Sequence, residues 1–361
     1  MGLKEYLMKC VPFAAMAMVE CMDVGLTTLG KAAISKGMNY HIFIVYSNAL
    51  ASLILLPSLF FLNRAHSPPL SFSILCKFFL LSLIGITTMQ NCAMTGISYS
   101  SPTLGSAMNN LIPAFTFVLA AIFRIEKIDI RSSKSQIRML GTVVSISGAL
   151  IVTLYKGASI GGSPFHENVS QPFLMAQTDN WVIGGLFLAT AYISLALWNI
   201  AQAVVLRGYP SQLTIVAFSS LFGAIQSTIL SLIVVKDPNA WIISPDIELI
   251  SIVYGGICGY VVSYLVMTWC IDKKGPIFVA MFKPLKIGIA AFMGAAFLGD
   301  TLHIGSVIGS IVIVIGFYTV LWAQSKEQND NSQKVYTQPS SPSRRSPLLE
   351  SHIRDEANVL A

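Results

Sequence analysis

Residues 275–300 read GPIFVAMFKPLKIGIAAFMGAAFLGD, and this stretch decides the class of fold. The run is long and apolar enough to cross a lipid bilayer, which takes about 20 residues of helix. Lys283, Pro284 and Lys286 nevertheless stand near its middle, where a lysine that faces lipid costs roughly 2.5–3.5 kcal/mol. We therefore expect both lysines to face protein or water.

A second stretch repeats this arrangement earlier in the chain. Residues 101–126 read SPTLGSAMNNLIPAFTFVLAAIFRIE, and a shift of 174 residues places Pro102 on Pro276 and Asn110 on Pro284. Each segment combines polar residues and a proline at the centre of an apolar run. The pair predicts two related membrane segments that face each other across a central path.

The composition is that of an integral membrane protein. The chain has 361 residues, of which 54% are hydrophobic and 11% charged, and its mean hydropathy is +0.68. Soluble proteins have about 25% charged residues. The apolar runs are too long for barrel strands and lack their alternation, so the spans are predicted to be helices.

Hydropathy divides the chain into ten apolar spans. They cover approximately residues 10–34, 41–62, 75–97, 102–123, 137–155, 180–206, 212–235, 248–271, 276–298 and 303–323. We group them into one five-span unit at 10–155 and another at 180–323, with an N-terminus at 1–9, a loop at 156–179 and a tail at 324–361. The tail is rich in serine, proline and charge and is predicted to be disordered.

Basic residues predict the orientation of the spans. Most of them fall in the N-terminus, in the loops after spans 2, 4, 6 and 8, and in the tail, while the other side holds little beyond Lys31, Lys36, Lys156 and Lys236. The positive-inside rule therefore places both termini in the cytosol. Asn168 begins an Asn-Val-Ser sequon in the loop after span 5, which this topology places outside, where N-glycosylation occurs.

Further positions of the two units correspond. Gly141 and Gly148 of span 5 match Gly309 and Gly316 of span 10 at a shift of 168 residues; the alternative is a chance likeness of two hydrophobic sequences. Because each unit has an odd number of spans, the second inserts upside down relative to the first. The sequence thus predicts an all-α polytopic membrane protein of ten transmembrane helices in two inverted five-helix repeats, as in secondary transporters, whose site lies near the midplane.

Four motifs occur in order along the chain: SPTLGSAMNNLIPAFTF, GTVVSISGALIVTLYKG, KKGPIFVAMFKPL and FLGDTLHIGSVIGSIVIVIGFYTVLW. They resemble the EamA-type repeats of the drug/metabolite transporter superfamily and, within it, the plant "walls are thin"-related, nodulin-21-like group, also called UMAMIT. The resemblance extends from Met8 to about Trp322. It implies a ten-helix carrier, usually of amino acids and in some relatives of auxin or other metabolites. Lys31 falls on the span-1 lysine of the family, whereas many members have a neutral residue at Lys283.

Span 1 carries Glu20, Asp23, Thr27 and Lys31. At about 100° per residue the four lie within an arc of roughly 80° and form a polar stripe on an apolar helix. The carboxylates are candidates for binding a substrate ammonium or a coupling proton, and Lys31 for attracting a substrate carboxylate near the outer mouth. The alternative is an ion-pair network that only holds helices together, but ionisable residues inside a membrane favour function.

Spans 9 and 4 supply further candidates. Lys283 is expected either to bind a substrate carboxylate or to neutralise Asp23. Lys286 is either part of the same site or a lysine that extends to the membrane surface. In span 4, Ser106 and Asn110 share a face near a proline, which loosens the helix and frees backbone groups for a ligand.

Amide and aromatic side chains inside the spans complete the candidate site. Amides can hold both ends of a zwitterion and rings can shape an apolar pocket, but both also serve as ordinary interhelical or interfacial residues. The candidates are Gln90 and Asn91 in span 3, Trp198 and Gln202 in span 6, and Tyr264 in span 8.

Catalysis and cofactor binding have no support in the sequence. The match to GxxxxGK at 25–31 lies in an apolar span, and Ala32 stands where a phosphate-binding loop has Ser or Thr. No cysteine or histidine spacing indicates a metal site, and no nucleophile is paired with a base. The net charge of +6 is spread between spans, so it does not indicate nucleic acid. We expect no enzyme activity, no cofactor and no nucleic-acid partner.

The sequence predicts a secondary transporter or facilitator of amino acids or similar small organic solutes, with alternating access between the repeats. Two alternatives remain: a carrier of auxin-like or other organic metabolites, and a non-transporting receptor or scaffold that signals through its tail. The plasma membrane is favoured over the vacuolar membrane, because Arg344 stands where the dileucine signal at Leu348 would have an acid. The oligomeric state is left open.

Overall fold

The computed structural model describes residues 3–62, 69–100, 102–124, 133–155, 159–160, 181–293 and 302–337. In this part of the chain eight helices are long and apolar enough to cross a membrane, and they coincide with spans 1–8. Span 9 is divided near its centre, and span 10 is the apolar stretch Val307–Val320 of a longer helix. The chain is an all-α multi-pass membrane protein with ten spans.

The first repeat contains seven α-helices and one π-helical segment. They are α1 (Leu3–Ser35), α2 (Tyr40–Leu62), α3 (Phe72–Ser82), the first π segment (Leu83–Thr88), α4 (Met89–Tyr99), α5 (Pro102–Asn109), α6 (Ile112–Ile122) and α7 (Ser133–Leu154). A two-residue strand, β1 (Ser159–Ile160), follows.

The second repeat has the same organisation. Its helices are α8 (Trp181–Gly208), α9 (Gln212–Val234), a 3₁₀ helix (Pro238–Trp241), α10 (Ile247–Tyr254), the second π segment (Gly255–Val262), α11 (Ser263–Lys274), α12 (Pro276–Ala280), α13 (Leu285–Met293) and α14 (Ile304–Thr337). A second short strand, β2 (Leu302–His303), precedes α14 and pairs antiparallel with β1.

Spans 3 and 8 share an internal structure that shows the duplication. They run over Phe72–Tyr99 and Ile247–Lys274, each 28 residues long, and both change from α-helix to π-helix near the middle. A π-turn is a rare insertion into an α-helix, so two of them at overlapping positions of the two repeats are not expected by chance. The predicted internal repeat is confirmed.

The packing of α7 against α14 shows that the second repeat is inverted. A Cβ atom on Gly141 would lie 2.9 Å from the carbonyl oxygen of Gly316, and one on Gly148 would lie 2.8 Å from that of Gly309. The early glycine of each helix therefore contacts the late glycine of the other, so the two helices run antiparallel. Because these helices are equivalent members of the repeats, the repeats have opposite orientations.

Spans 4 and 9 are both broken near the centre, as their prolines predict. The break between α5 and α6 lies at Asn110–Leu111, where Pro113 offers no N–H to the carbonyl four residues before it. The break between α12 and α13 lies at 281–284, and there the Leu285 N–H bonds to Phe282. Each break interrupts the regular α-helical hydrogen bonding within its span, and the second carries Lys283.

The C-terminal end of the fold differs from the sequence prediction. The predicted disordered tail begins at residue 324, but α14 continues to Thr337. Residues 324–337 read QSKEQNDNSQKVYT, without glycine or proline, and extending an existing helix through such residues costs little. The remainder of the predicted tail, residues 338–361, and the sequon at Asn168 lie outside the described residues.

Candidate functional site

Four charged side chains form two ion pairs between the repeats. Lys283 Nζ lies 3.0 Å from Oε1 of Glu20, and Lys286 Nζ donates to Oδ2 of Asp23 at 2.6 Å. Both partners advance by three residues from the first pair to the second, so α1 and span 9 run in the same direction there, with residues three apart on neighbouring turns. We call Glu20, Asp23, Lys283 and Lys286 the charge ladder.

The ladder corrects one pairing that the sequence suggested. Lys283 pairs with Glu20 and not with Asp23, and Lys286, which the sequence left between a site residue and a surface lysine, takes Asp23. The acids come from the first repeat and the bases from the second. The ladder therefore ties α1 to the break in span 9, and its four charges sum to zero.

The two pairs of the ladder differ in their access to solvent and lipid. The Glu20 side chain is 0% exposed and that of Lys283 is 9% exposed, and Oε2 of Glu20 has no hydrogen-bond partner among the described residues. The Asp23 and Lys286 side chains are 33% and 24% exposed. The second pair is therefore the more accessible of the two, whereas the first is enclosed.

Lys31 lies outside the ladder. Its side chain is exposed near the C-terminal end of α1, two helical turns beyond Asp23. Thr27, between them in the predicted stripe, donates to the backbone carbonyl of Asp23 at 2.7 Å. The structure thus brings the two acids of span 1 together with two lysines of span 9 and leaves Lys31, the lysine of the predicted polar stripe, outside the charge ladder.

An amide and three aromatic rings lie beside the ladder. Gln90 Nε2 donates to the Tyr260 hydroxyl at 2.9 Å. The Tyr260 and Tyr264 ring centroids are 5.4 Å apart, and those of Tyr264 and Trp198 are 5.5 Å apart. Tyr260 and Tyr264 lie on the second π segment and on α11, both of which pack against α1. Three of these residues are sequence candidates that the fold brings together, and Tyr260 connects them.

The remaining amide candidates are engaged in part by protein groups. The side-chain oxygen Oδ1 of Asn91 lies 2.9 Å from Nδ1 of His41. Gln202 Nε2 donates to Thr268 at 2.6 Å, and Asn110 Nδ2 donates to the backbone carbonyl of Ser106 at 2.9 Å. The amide oxygens of Gln202 and Asn110 have no partner among the described residues. Asn91 and Gln202 thus bond between helices, Asn110 bonds within its own span, and Gln202 and Asn110 keep an acceptor available.

Two further amide side chains, those of Asn199 and Gln226, have environments in the structure that the sequence did not indicate. Asn199 on α8 is fully buried, and neither of its amide atoms has a hydrogen-bond partner among the described residues. Gln226 on α9 bridges the two repeats through both ends of its amide. The sequence signal for either residue was an amide side chain inside an otherwise apolar span. Such amides are also common as residues that only form hydrogen bonds between helices.

The two repeats are also in contact at the C-terminal end of α1. Lys36, after α1, forms an ion pair with Asp246, before α10. The Tyr46 hydroxyl donates to the backbone carbonyl of Trp241 at 3.0 Å. The hydrogen bond from Lys36 holds the pKa of Asp246 below its usual range, and the backbone N–H of Ile247 adds to the effect. These contacts join the repeats at the end of the molecule away from α14's extension.

The arrangement is suited to binding charged organic groups. Carboxylates accept hydrogen bonds from an ammonium group, and lysines donate to a carboxylate. Within the described ranges, no three His, Cys, Asp or Glu side chains are grouped so that they could hold a metal ion. The ladder and the neighbouring rings therefore form a candidate site for a small solute.

Comparison with known proteins places this geometry in context. The profile of the EamA-like transporter family matches residues 14–154 and 182–322. WAT1-related protein At3g28050 of Arabidopsis thaliana is 45% identical over 369 residues, covering 99% of this chain and 100% of that protein. WAT1-related protein At5g40240 of the same plant is 42% identical, covering 98% and 95%. A solved crystal structure has a TM-score of 0.65 at 13% identity, over 88% of this chain and 97% of that one, and so shares the fold.

Proposed function

Because the chain belongs to the EamA-like transporter family, whose members are membrane transporters of small solutes, we propose that this protein carries zwitterionic amino acids. The observation that supports this proposal is the accessible pair of Asp23 and Lys286, in which an acid and a base lie 2.6 Å apart inside the membrane. Transport proceeds by alternating access, with the two inverted repeats rocking about the site.

A zwitterion is the ligand that this pair can accept without a change in net charge. Its ammonium group takes the place of Lys286 on Asp23, and its carboxylate takes the place of Asp23 on Lys286. A ligand with a carboxylate alone would leave Asp23 without a partner. Losing one partner at this exposure costs about 1 kcal/mol or more, which is a preference of about fivefold or more for the zwitterion.

The enclosed pair, Glu20 and Lys283, has a structural role in this proposal. Glu20 and Lys283 are too buried to meet a ligand without a conformational change. They hold α1 against the break of span 9 and so fix the register in which Lys286 meets Asp23. Tyr264 lies on α11, which packs against α1, and Trp198 packs against Tyr264; the two rings offer an apolar wall for a substrate side chain.

Indole acids or other organic carboxylates are the second candidate. The rings of Trp198, Tyr260 and Tyr264 favour it, because a planar substrate could stack on them. Its weakness is that Asp23 would be left without its base once a carboxylate occupied Lys286.

We also propose the orientation that the basic residues predict, with both termini in the cytosol and the protein in the plasma membrane. Support comes from the uneven distribution of lysine and arginine between the loops. In this orientation the contact between Lys36 and Asp246 lies on the outer side.

The test is the flux of radiolabelled alanine in transport-deficient cells, at two pH values, with three matched competitors. Alanine has both charges, propionate has the carboxylate alone and alaninamide has the ammonium alone. We expect unlabelled alanine to compete at least about fivefold better than either of the others, from the cost of one unpaired charge. Indole-3-acetate, added as a fourth competitor, tests the second candidate.

Substitutions connect the flux to the accessible pair. Asp23→Asn and Lys286→Gln are each expected to lower uptake by about tenfold, the effect of about 1.4 kcal/mol. Lys236→Gln, at an exposed loop position, is the matched control and should transport normally. Absence of flux above background for every amino acid tried would remove this substrate class.

A further inference from the structure

Gln226 of the second repeat hydrogen-bonds to span 3 of the first repeat at three points, one in the first π segment and two in the last turn of α3. Its Oε1 accepts from the hydroxyl of Thr87 at 2.8 Å and from that of Ser82 at 3.4 Å. Its Nε2 donates to the backbone carbonyl of Phe79 at 3.1 Å. The side chain is 8% exposed. These bonds connect α9 to the turn where span 3 departs from the α-helix.

The spacing of two of these partners, Ser82 and Thr87, requires the π-turn. Ser82 and Thr87 are five residues apart, and in an α-helix they would point about 140° away from each other. In the π segment the hydrogen bonds run over five residues, as that from the Met89 N–H to the Ile84 carbonyl does. Ser82 and Thr87 then lie on one face. Gln226 can bond to both only while the π-turn is present.

The second π segment is held differently. There the Ser263 hydroxyl donates to the carbonyl of Cys258 at 2.7 Å, also five residues away. That bond across the turn is made within span 8, whereas in the first repeat the hydroxyls on either side of the turn are bridged by Gln226 of the other repeat. The bridge across the π-turn therefore differs between the two repeats.

The π-turn in turn decides where the next helix points its side chains. Removing the extra residue from the turn would rotate α4 relative to α3 by about 100°. Gln90 would then leave the Tyr260 hydroxyl, to which it donates at 2.9 Å. The turn also touches the site directly, because a Cβ atom on Gly85 would fall 1.8 Å from the ring of Trp198. There is no room for the turn to rearrange without moving that ring.

From these contacts we propose that Gln226 is a positioning residue for the transport site: it holds the π-turn of span 3 and thereby keeps Gln90 directed at Tyr260. The proposal deepens the proposed function, on whose site it rests. Gln226 does not meet the solute. It acts through Gln90, and the two substitutions should therefore not be additive.

The kinetic test compares Gln226→Met, which keeps the length of the side chain and removes its hydrogen bonds, with Gln212→Met. Gln212 lies on the same helix, is partly exposed and donates to Asp272 at 3.2 Å, so it is a matched control. We expect Gln226→Met to raise the KM for alanine about tenfold, while the maximal rate per molecule in the membrane changes less than about twofold. Thr87→Val, which removes one partner and keeps the shape, should raise KM by a smaller factor.

Combining the Gln226 and Gln90 substitutions distinguishes a positioning role of Gln226 from general damage to the protein. In a Gln90→Ala background, Gln226→Met should change KM by less than about twofold, because the side chain that it positions is absent. An undiminished tenfold effect in that background would overturn the proposal. A KM of the single variant Gln226→Met equal to that of Gln212→Met would also overturn it.

A second measurement does not depend on the substrate. With the six native cysteines replaced by serine, Gln90→Cys and Tyr260→Cys are joined by a short bifunctional methanethiosulfonate reagent. Adding Gln226→Met should reduce this cross-linking by about tenfold, and Gln212→Met should not. Equal cross-linking in both would overturn the proposal. If no amino acid is transported at all, the flux arm counts against the proposed function, while cross-linking still decides the role of Gln226.

Discussion

Removing one partner of the enclosed ion pair should destabilise the protein strongly. Lys283→Met leaves Glu20 charged, 0% exposed and without any other hydrogen-bond partner among the described residues. At 3.0 Å and an effective dielectric constant of about 20, the lost Coulomb attraction is about 5–6 kcal/mol. Measured costs for breaking buried pairs are about 3–5 kcal/mol, and we expect Lys283→Met to fall in that range.

The compensating double variant separates electrostatics from packing. Glu20→Gln combined with Lys283→Met removes both charges and keeps both volumes, so most of the lost stability should return. We expect the double variant to lie within about 1 kcal/mol of the native protein. Asp23→Asn is the comparison at the accessible pair, where exposure of 33% and 24% reduces the expected loss to about 1 kcal/mol.

The assay is the free energy of unfolding in detergent micelles, measured by denaturant titration on the purified full chain. A double-mutant cycle over the native protein, Glu20→Gln, Lys283→Met and the double variant gives the coupling energy of Glu20 and Lys283, which we expect to be about 3 kcal/mol or more in magnitude. Additive effects of the two single substitutions would refute the conclusion that these charges stabilise each other, whatever their separate sizes.

Three further predictions concern packing, pH and topology. Gly316→Ala should destabilise by about 1–3 kcal/mol, because its Cβ would fall 2.4 Å from a backbone nitrogen, whereas Gly185→Ala, with nothing within 4 Å, should not; denaturant titration of both checks this. The pKa of Asp246 is lowered by Lys36, so its contribution to stability is present above the unfolded value and is lost only as pH falls through the lowered one. Between pH 7 and 5, thermal unfolding of the native protein and of Asp246→Asn should therefore shift equally, and a selective loss in the native protein would contradict the pairing. Finally, Asn168→Gln should abolish any glycosidase-sensitive mass shift, and a cytosolic location of that loop by protease protection would reverse the proposed topology.

Most of the fold could be predicted because its signals are local. Eight spans are recognisable by length and hydropathy, and the breaks of spans 4 and 9 follow from prolines that remove a helical donor. The chemistry of the site was also visible, since Glu20, Asp23 and Lys283 are charged residues in apolar runs. These properties depend on each segment and the bilayer, and not on which segments are neighbours.

The pairing within the site could not be predicted from the same signals. Acids three residues apart on α1 and lysines three residues apart on span 9 are compatible with more than one register. The packing of α1 against α13 selects the one in which Glu20 takes Lys283 and Asp23 takes Lys286. The tail boundary differed for a related reason, because composition does not show where a helix already in progress ends.

The sequence by itself determined that this protein crosses the membrane ten times in two related units, because the cost of placing polar backbone and charge in lipid acts on every segment separately. It also determined that spans 1 and 9 carry the unusual charges. Only the tertiary structure decided which acid meets which base and that Gln226 bonds to Ser82 and Thr87 across the π-turn ahead of Gln90. Those choices depend on distances between residues from different repeats, more than 100 positions apart, and no local pattern records them.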